Sequence, residues 1–364
     1  MENKSFLTEQ IITYLGNKRK LISFIGDSVA EILKKENKEK CSIFDGFSGS
    51  GVVSRYLKQF SSDLYVNDFE KYSYCVNSCY LENISNVDLK YLEEINKELN
   101  ENKLKNLDGG IIRKLYSPIN DSDIKEKDRA FYTNQNALII DNIRIMISEL
   151  PEKMQKYFLS PLLYEASVHV NTSGVFKGFY KDKNTGIGKF GGTGENALSR
   201  ITGEINLPIP IFSNYECNVN IFNEDTNTLI KKLPEVDITY YDPPYNEHPY
   251  GSNYFMLNLI HDYEEPKVIS KVSGIPNDWK KSDYYKKNLA YNAMDDLIKN
   301  TKSKYILISY SDEGILSPND LNDIFTKYGK VEIKSQRYNT FRGSKNLNNR
   351  ETYVDEFLYI IKKG

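Results

Sequence analysis

The sequence predicts an α/β fold: an open, mostly parallel sheet with helices on both faces, interrupted by a mostly helical insertion. Three observations predict it. Short apolar runs alternate with helical periodicity in the first third of the chain, the pattern of strands joined by crossover helices. That alternation stops near residue 86 and resumes near residue 215. Two apolar runs end abruptly, one in the Gly- and Ser-rich stretch Gly46–Gly51 and one in Pro243-Pro244. Ends of this kind are where an open sheet binds its ligands.

In chain order, Cys41–Phe47 reads as a buried strand and Val52–Phe60 as a helix. Leu64–Asn67 is a second short strand, followed by a helix over Glu70–Asn83. Leu89–Leu107 is a strongly polar helix that Asp108-Gly109-Gly110 ends. Asn136–Leu150 and Pro151–Val170 are amphipathic helices, and Asn171–Asn206, rich in Gly, Asn and Thr, is a loop and hairpin region. Sheet grammar returns with strand Asn218–Phe222, helix Thr226–Leu233 and strand Val236–Tyr241. Lys304–Tyr310 is a strand and Ser317–Tyr328 a helix, while Lys330–Phe341 and Glu356–Lys362 pair as antiparallel strands. This divides the chain into a core of residues 1–85 and 216–364 and an insertion of residues 86–215.

Composition suits a folded protein, with 40% hydrophobic and 27% charged residues in 364. No run of about 18 apolar residues is present, so no membrane span is expected. Met1–Gln10 lacks the pattern of a secretory signal. Cys41, Cys75, Cys79 and Cys217 read as reduced thiols of a cytoplasmic protein. His169, His248 and His261 are isolated, and no metal site is visible.

The net charge of −2 does not itself indicate nucleic acid, but its distribution is uneven. Thr172–Arg200 holds Lys177, Lys181, Lys183, Lys189 and Arg200 against Asp182 and Glu195. Lys330–Arg350 holds six basic residues, Arg342 among them, against Glu332 alone. Either run alone fits a solvated surface. The admixture of aromatic, Gly and Asn residues favours contact with phosphates and bases.

Chemistry concentrates at three strand ends. Asp242-Pro243-Pro244-Tyr245 follows the apolar run Val236–Tyr241 directly. A carboxylate beside a proline-fixed carbonyl can accept both protons of an amino group and turn its lone pair towards an electrophile. The neighbouring Tyr ring can stack on a planar base. Asp45-Gly46-Phe47-Ser48-Gly49-Ser50-Gly51 lets backbone approach a ligand at a helix N-terminus, without the spacing of the dinucleotide fingerprint. Asp68 stands where an acid commonly binds ribose, although a helix cap explains it equally well.

In that order these motifs resemble the Dam-like, alpha-group DNA adenine methyltransferases, over essentially the whole chain. Tyr14-Leu15-Gly16-Asn17-Lys18 resembles the family's first motif, which helps hold the cofactor's methionine portion. Asp45–Gly51, with Phe47, Gly49 and Gly51, resembles the Gly-rich cofactor loop, though Gly46 stands where the family usually has Pro. Asp68 matches the ribose-binding acid, Asp225 the acid that contacts the cofactor's adenine, and Asp242–Tyr245 the catalytic tetrapeptide. Asn171-Thr172-Ser173-Gly174 and Lys177-Gly178-Phe179-Tyr180 resemble the DNA-contacting hairpin region, and Ser309–Gly314 a later core motif. The long polar segment Asp88–Lys127 matches no motif of the family.

The resemblance implies a Rossmann-like methyltransferase sheet interrupted by a target-recognition insertion. It implies S-adenosylmethionine as methyl donor and duplex DNA as substrate. The target adenine would be flipped out, since its amino group is buried in the stack. DNA contacts are expected from Lys177, Lys181, Lys189, Arg200 and Arg342. A cognate restriction endonuclease would be a partner in a restriction-modification system. The alternatives are cytosine-N4 methylation, RNA or protein methylation, and a decayed DNA-binding module. Asp in place of Ser at position 242 favours adenine, and the intact tetrapeptide and Lys18 argue against decay.

Overall fold

A computed structural model describes residues 1–247, 249–339 and 353–364. His248 and Arg342 lie outside them. The apolar runs at the centre of the sheet form strands that are apolar on both faces, because each face carries a core. On the strand Ser303–Ser311, Tyr305 and Leu307 enter one apolar cluster, while Ile306 and Ile308 enter the other.

The sheet has seven strands: β1 (Cys41–Asp45), β2 (Ser61–Asn67), β3 (Asn218–Phe222), β4 (Val236–Tyr241), β5 (Ser303–Ser311), β6 (Gly329–Asn339) and β7 (Tyr353–Lys363). Their order is β3-β2-β1-β4-β5-β7-β6. The first five are mutually parallel, and β7 runs antiparallel between β5 and β6. From β1 the chain winds outward through β2 to β3. From β4 it winds the other way, so the strand order reverses between β1 and β4. That switch point opens a crevice at the carboxyl ends of the strands.

Helices Ile22–Lys35 and Lys71–Tyr80 cover one face, and Lys287–Asn300 and Pro318–Thr326 the other. Several expected helices are shorter than their apolar patterns. Lys71–Tyr80 stands for Glu70–Asn83, and Thr226–Leu229 for Thr226–Leu233. The first two helices of the chain, Lys4–Thr8 and Ile22–Lys35, were not predicted.

Between residues 86 and 215 lie helices Leu89–Asn102, Ile111–Tyr116, Asn134–Ser148, Glu152–Val168 and Leu198–Thr202. The polar first of these turns Leu92, Ile95 and Leu99 inward. Their buried side chains join the same apolar cluster as Tyr72, Val76 and Cys79. The Gly-rich region ahead of the last of these contains one antiparallel bridge, Lys181 to Gly188. Among the described residues no helix is long and apolar enough to cross a membrane.

Candidate active site

A cleft of about 830 Å³, its open mouth included, lies at the switch point. Residues following β1, β2, β3 and β4 line it: Asp45 and Phe47, Asp68, Asp225, and Asp242 with Pro244. Tyr14 and Lys18 close it from the N-terminal side. Residues far apart in sequence meet because parallel strands bring all their carboxyl ends to one edge.

The loop after β1 is tied down at each step. The Gly46 amide donates to the Tyr240 carbonyl at 3.1 Å, and the Ser48 amide to the Asn67 carbonyl at 3.0 Å. Thr226 Oγ1 donates to the Gly46 carbonyl at 2.8 Å. A Cβ at Gly46 would stand 2.6 Å from a ring carbon of Tyr241. The Tyr241 ring therefore occupies the space beside the turn and excludes any larger residue there. Gly51 adopts φ +77° at the helix start, a conformation that favours glycine, and it does not line the cleft.

Asp68 is buried, and both its oxygens are engaged. Oδ2 accepts from the Gly49 amide at 2.7 Å and Oδ1 from the Glu70 amide at 2.8 Å. It ties the loop after β1 to the start of the next helix while facing the cleft. Asp225 is exposed and caps helix Thr226–Leu229, accepting from the Thr228 amide at 2.9 Å. Phe47 meets Tyr241 and Tyr284 edge-on, with centroids 5.9 and 5.5 Å away.

Buried acids dominate the wall. Asp45 accepts from Ser54 Oγ at 2.5 Å, while its Oδ1 has no hydrogen-bond partner among the described residues. Burial pushes Asp45 up to about 7. Burial likewise pushes Glu70 up to about 7, against a hydrogen bond from Asn258. Asp68 is raised by burial against the two amides it holds.

Lys18, only 1% exposed, places its Nζ 3.0 Å from Asp242 Oδ1, 3.0 Å from Glu356 Oε1 and 3.3 Å from the Gly16 carbonyl. Burial disfavours its charge, but the two carboxylates outweigh burial and raise the ammonium well above the ordinary lysine value. Asp242 does not fall as a simple ion-pair partner would. Burial, together with the like charge of Glu356, outweighs Lys18 and pushes it up to about 6. Glu356 is 1% exposed, whereas Asp242 keeps 20% of its side chain accessible.

The N-terminal segment is fixed by aromatic stacking. Tyr14 lies parallel to Tyr250 and Tyr254, with centroids 4.9 and 4.7 Å away. The Leu15 amide donates to the Tyr254 hydroxyl at 2.7 Å. Tyr245 packs against Tyr310 and under Lys18, whose Nζ lies 5.2 Å from its ring centroid; it is not part of the cleft wall. Pro243 is buried.

In the Gly-rich region, Lys177 and Lys181 are exposed. Lys189 lies 3.7 Å from Glu195. The Arg200 guanidinium donates to the carbonyls of Val168, Val170 and Thr172, and so fastens the segment to the preceding helix. His169 meets the Arg200 carbonyl at 2.6 Å and Glu165 at 3.2 Å, and His261 meets Asp262 at 2.9 Å.

Sequence reasoning missed Glu70, Tyr250, Tyr284, Tyr285 and Glu356. Tyr250, Tyr284 and Tyr285 sit in single helical turns too short to carry a periodic signal. Glu356 did carry one: it falls in phase with Leu358 and Ile360, so the alternation of β7 turns it inward with them.

Residues 14–324 match the family model described as D12 class N6 adenine-specific DNA methyltransferase. The chain is 28% identical over 360 residues to the type II methyltransferase M.NlaIII of Neisseria lactamica, covering 97% of this chain and 99% of that protein. It is 30% identical to the type II methyltransferase M.CviAII of Paramecium bursaria Chlorella virus 1, covering 96% and 98%. It is 31% identical to the modification methylase StsI of Streptococcus sanguinis, covering 96% of this chain and 52% of that protein, about half its length. The match spans most of the chain and includes the acids at all four strand ends, and on that ground the chain belongs to the D12 class of N6 adenine-specific DNA methyltransferases.

Proposed function

We propose that the cleft binds S-adenosylmethionine together with an adenine flipped out of duplex DNA, and that Asp242 receives the adenine amino group. One observation carries this reading. Asp242 is the partly accessible carboxylate of an otherwise buried charge cluster, at the switch point, on the wall of a cleft lined by acids. Buried carboxylates held near 7 suit a cationic ligand, because a cation stabilises their ionised form. S-adenosylmethionine carries a sulfonium and an ammonium, so the wall fits it. Asp68 and Asp225 would hold its ribose and adenine, and Phe47 would pack on it.

When bound, it supplies an electrophilic methyl group: the amino lone pair forms the new N–C bond, the C–S pair leaves with sulfur, and an amino proton is lost to solvent. The protein's part is to aim that lone pair. The Asp242 carboxylate and the Pro243 carbonyl accept the two amino protons, and the Tyr245 ring, just outside the cleft wall beneath Lys18, offers a stacking face to the extrahelical base. Positioning and fixed charge supply the acceleration, with no nucleophile of the protein involved. Substituting 2-aminopurine for the target adenine tests the flipping. Its fluorescence is expected to rise severalfold when protein binds, and an unchanged signal with DNA saturated would reject an extrahelical base.

Asp68→Ala is expected to weaken S-adenosylmethionine binding by roughly 1–3 kcal/mol, because it removes charge-assisted hydrogen bonds. Calorimetry with the cofactor alone reads this. Unchanged affinity would leave Asp68 as a tie between loop and helix and nothing more.

Residues 86–215 are proposed to carry target recognition, with Lys177 and Lys181 on phosphates and Arg200 holding the loop that presents them. Lys177→Ala and Lys181→Ala should each weaken binding to all DNA sequences alike and lower the salt slope by about one. Changes at Asn184, Thr185 or Asn196 should instead shift the methylated sequence. Wild-type site profiles from those variants, with wild-type affinity in the Lys variants, would move recognition elsewhere. The relatives named as modification methylases make a restriction endonuclease of the same site the expected partner.

A further inference from the structure

Glu356 lies beyond the residues that match the family model, in the last strand of the sheet. It is nonetheless part of the site. Its side chain is 1% exposed, and neither carboxylate oxygen has a hydrogen-bond partner among the described residues. What compensates it is Lys18, at 3.0 Å. A buried carboxylate with so little support is costly, and a Lys18–Asp242 pair would be neutral without it. Stability therefore does not explain its presence.

Its position suggests what does. The Lys18 ammonium has three protons and three oxygen neighbours, on Gly16, Asp242 and Glu356. With Glu356 on one side, Lys18 can take only one oxygen of Asp242. That oxygen, Oδ1, is sealed from solvent, so the accessible fifth of the Asp242 side chain lies on its other side. The three groups together carry −1. During methyl transfer one positive charge passes from the donor sulfur to the amino nitrogen, beside Asp242. A fixed −1 favours that charge throughout, whereas a neutral pair would not.

We propose that Glu356 is a positioning residue of the methyl-transfer site: through Lys18 it sets which oxygen of Asp242 meets the target amino group, and it keeps the site negative. This rests on the reading of Asp242 given above. Other charged or titratable groups facing Asp242 are Asp45 at the end of β1, Tyr240 on β4 and Tyr250 from the following helix. All of them remain in a Glu356 variant. The two carboxylate oxygens on Lys18 are at most about 6 Å apart, close enough for a strong like-charge effect.

The test is Glu356→Gln beside Glu356→Asp, in the full chain. Asp242 is followed in protein carrying ¹³C-labelled aspartate carboxyls, without ligand, its resonance assigned by its loss in Asp242→Asn. Glu356→Gln should lower the Asp242 midpoint by about one pH unit. The acid limb of kcat should move down with it, while kcat at pH 8 falls at least about tenfold, with KM for cofactor and DNA within about threefold. Glu356→Asp, which keeps the charge, should leave midpoint and limb in place and recover part of kcat. It carries the test should the Gln variant fail to fold, and a displaced midpoint in it would overturn the proposal. An unmoved Asp242 midpoint in Glu356→Gln, or kcat within twofold of wild type, would also overturn it. The resonance titration does not depend on what Asp242 does in the reaction, and Asp242→Ala tests that separately.

Discussion

Asp242→Ala is expected to abolish methyl transfer to adenine, with a loss of at least about a hundredfold to a thousandfold in kcat. On the proposed reading the variant loses the acceptor that orients the amino group, the carboxylate that lines the cleft beside Lys18. It should still fold. Removing Asp242 leaves Lys18 facing Glu356 at 3.0 Å, a balanced buried pair, and opens only a small space at the cleft wall. Labelled methyl incorporation into DNA, read beside a thermal melt, separates the two effects. Activity within tenfold of wild type would reject the role given to Asp242. In the wild type the same group predicts an acid limb near pH 6, since below about 6 Asp242 is protonated and the Pro243 carbonyl is left as the one strong acceptor for the amino protons.

Lys18→Met is expected to cost stability rather than activity alone. Two carboxylates are left in a buried site with no cation between them. Breaking such a pair typically costs about 3–5 kcal/mol. Its sign with pH follows from the direction of the shift. Without Lys18, burial and mutual repulsion raise the folded-state pKa of the carboxylate pair above its unfolded value. The penalty is then absent below the unfolded pKa and grows as pH rises through the raised one. Chemical denaturation should therefore show the variant nearly as stable as wild type at low pH and much less stable at pH 8. A difference under about 1 kcal/mol at pH 8 would mean that Lys18 does not compensate these acids.

The parallel half of the sheet was readable because its inner strands are apolar and end in residues with special backbone needs. Val236–Tyr241 ends where its apolar run ends, since Asp242 and two prolines cannot continue it. Helix ends were less readable: Glu70 is the extended cap residue whose carbonyl accepts the first helical hydrogen bond, from the Tyr74 amide, while its side chain faces the cleft, held by Asn258. Asp45, Asp68 and Asp242 were legible because each stands where an apolar run ends, whereas Asp225, three residues past Phe222, was reached only through the family resemblance. What they do locally was not legible. Nothing in the chain order shows that Asp68 bonds the Gly49 amide, or that Tyr241 fills the space beside Gly46. Tyr245 stands in the tetrapeptide, yet tertiary packing places it against Tyr310 and Lys18 while Tyr250 lines the cleft. Glu356 was hidden for a different reason. Its partner, Lys18, lies near the opposite end of the sequence, and no local pattern couples them.

The placement of β7 between β5 and β6 has a consequence for biosynthesis. Within the sheet, β6 pairs with β7 and with no other strand, so it cannot dock on β5 ahead of β7. While the ribosome is still upstream of β7, a nascent chain already contains the Gly-rich loop after β1, Lys18 and Asp242. It leaves β5 as an open edge and Lys18 without its second carboxylate. Pairing over so long a span is slow to form. The final hairpin thus seals the sheet and completes the charge cluster in one event, and an unfinished chain that met the chromosome would lack the full negative setting for methyl transfer.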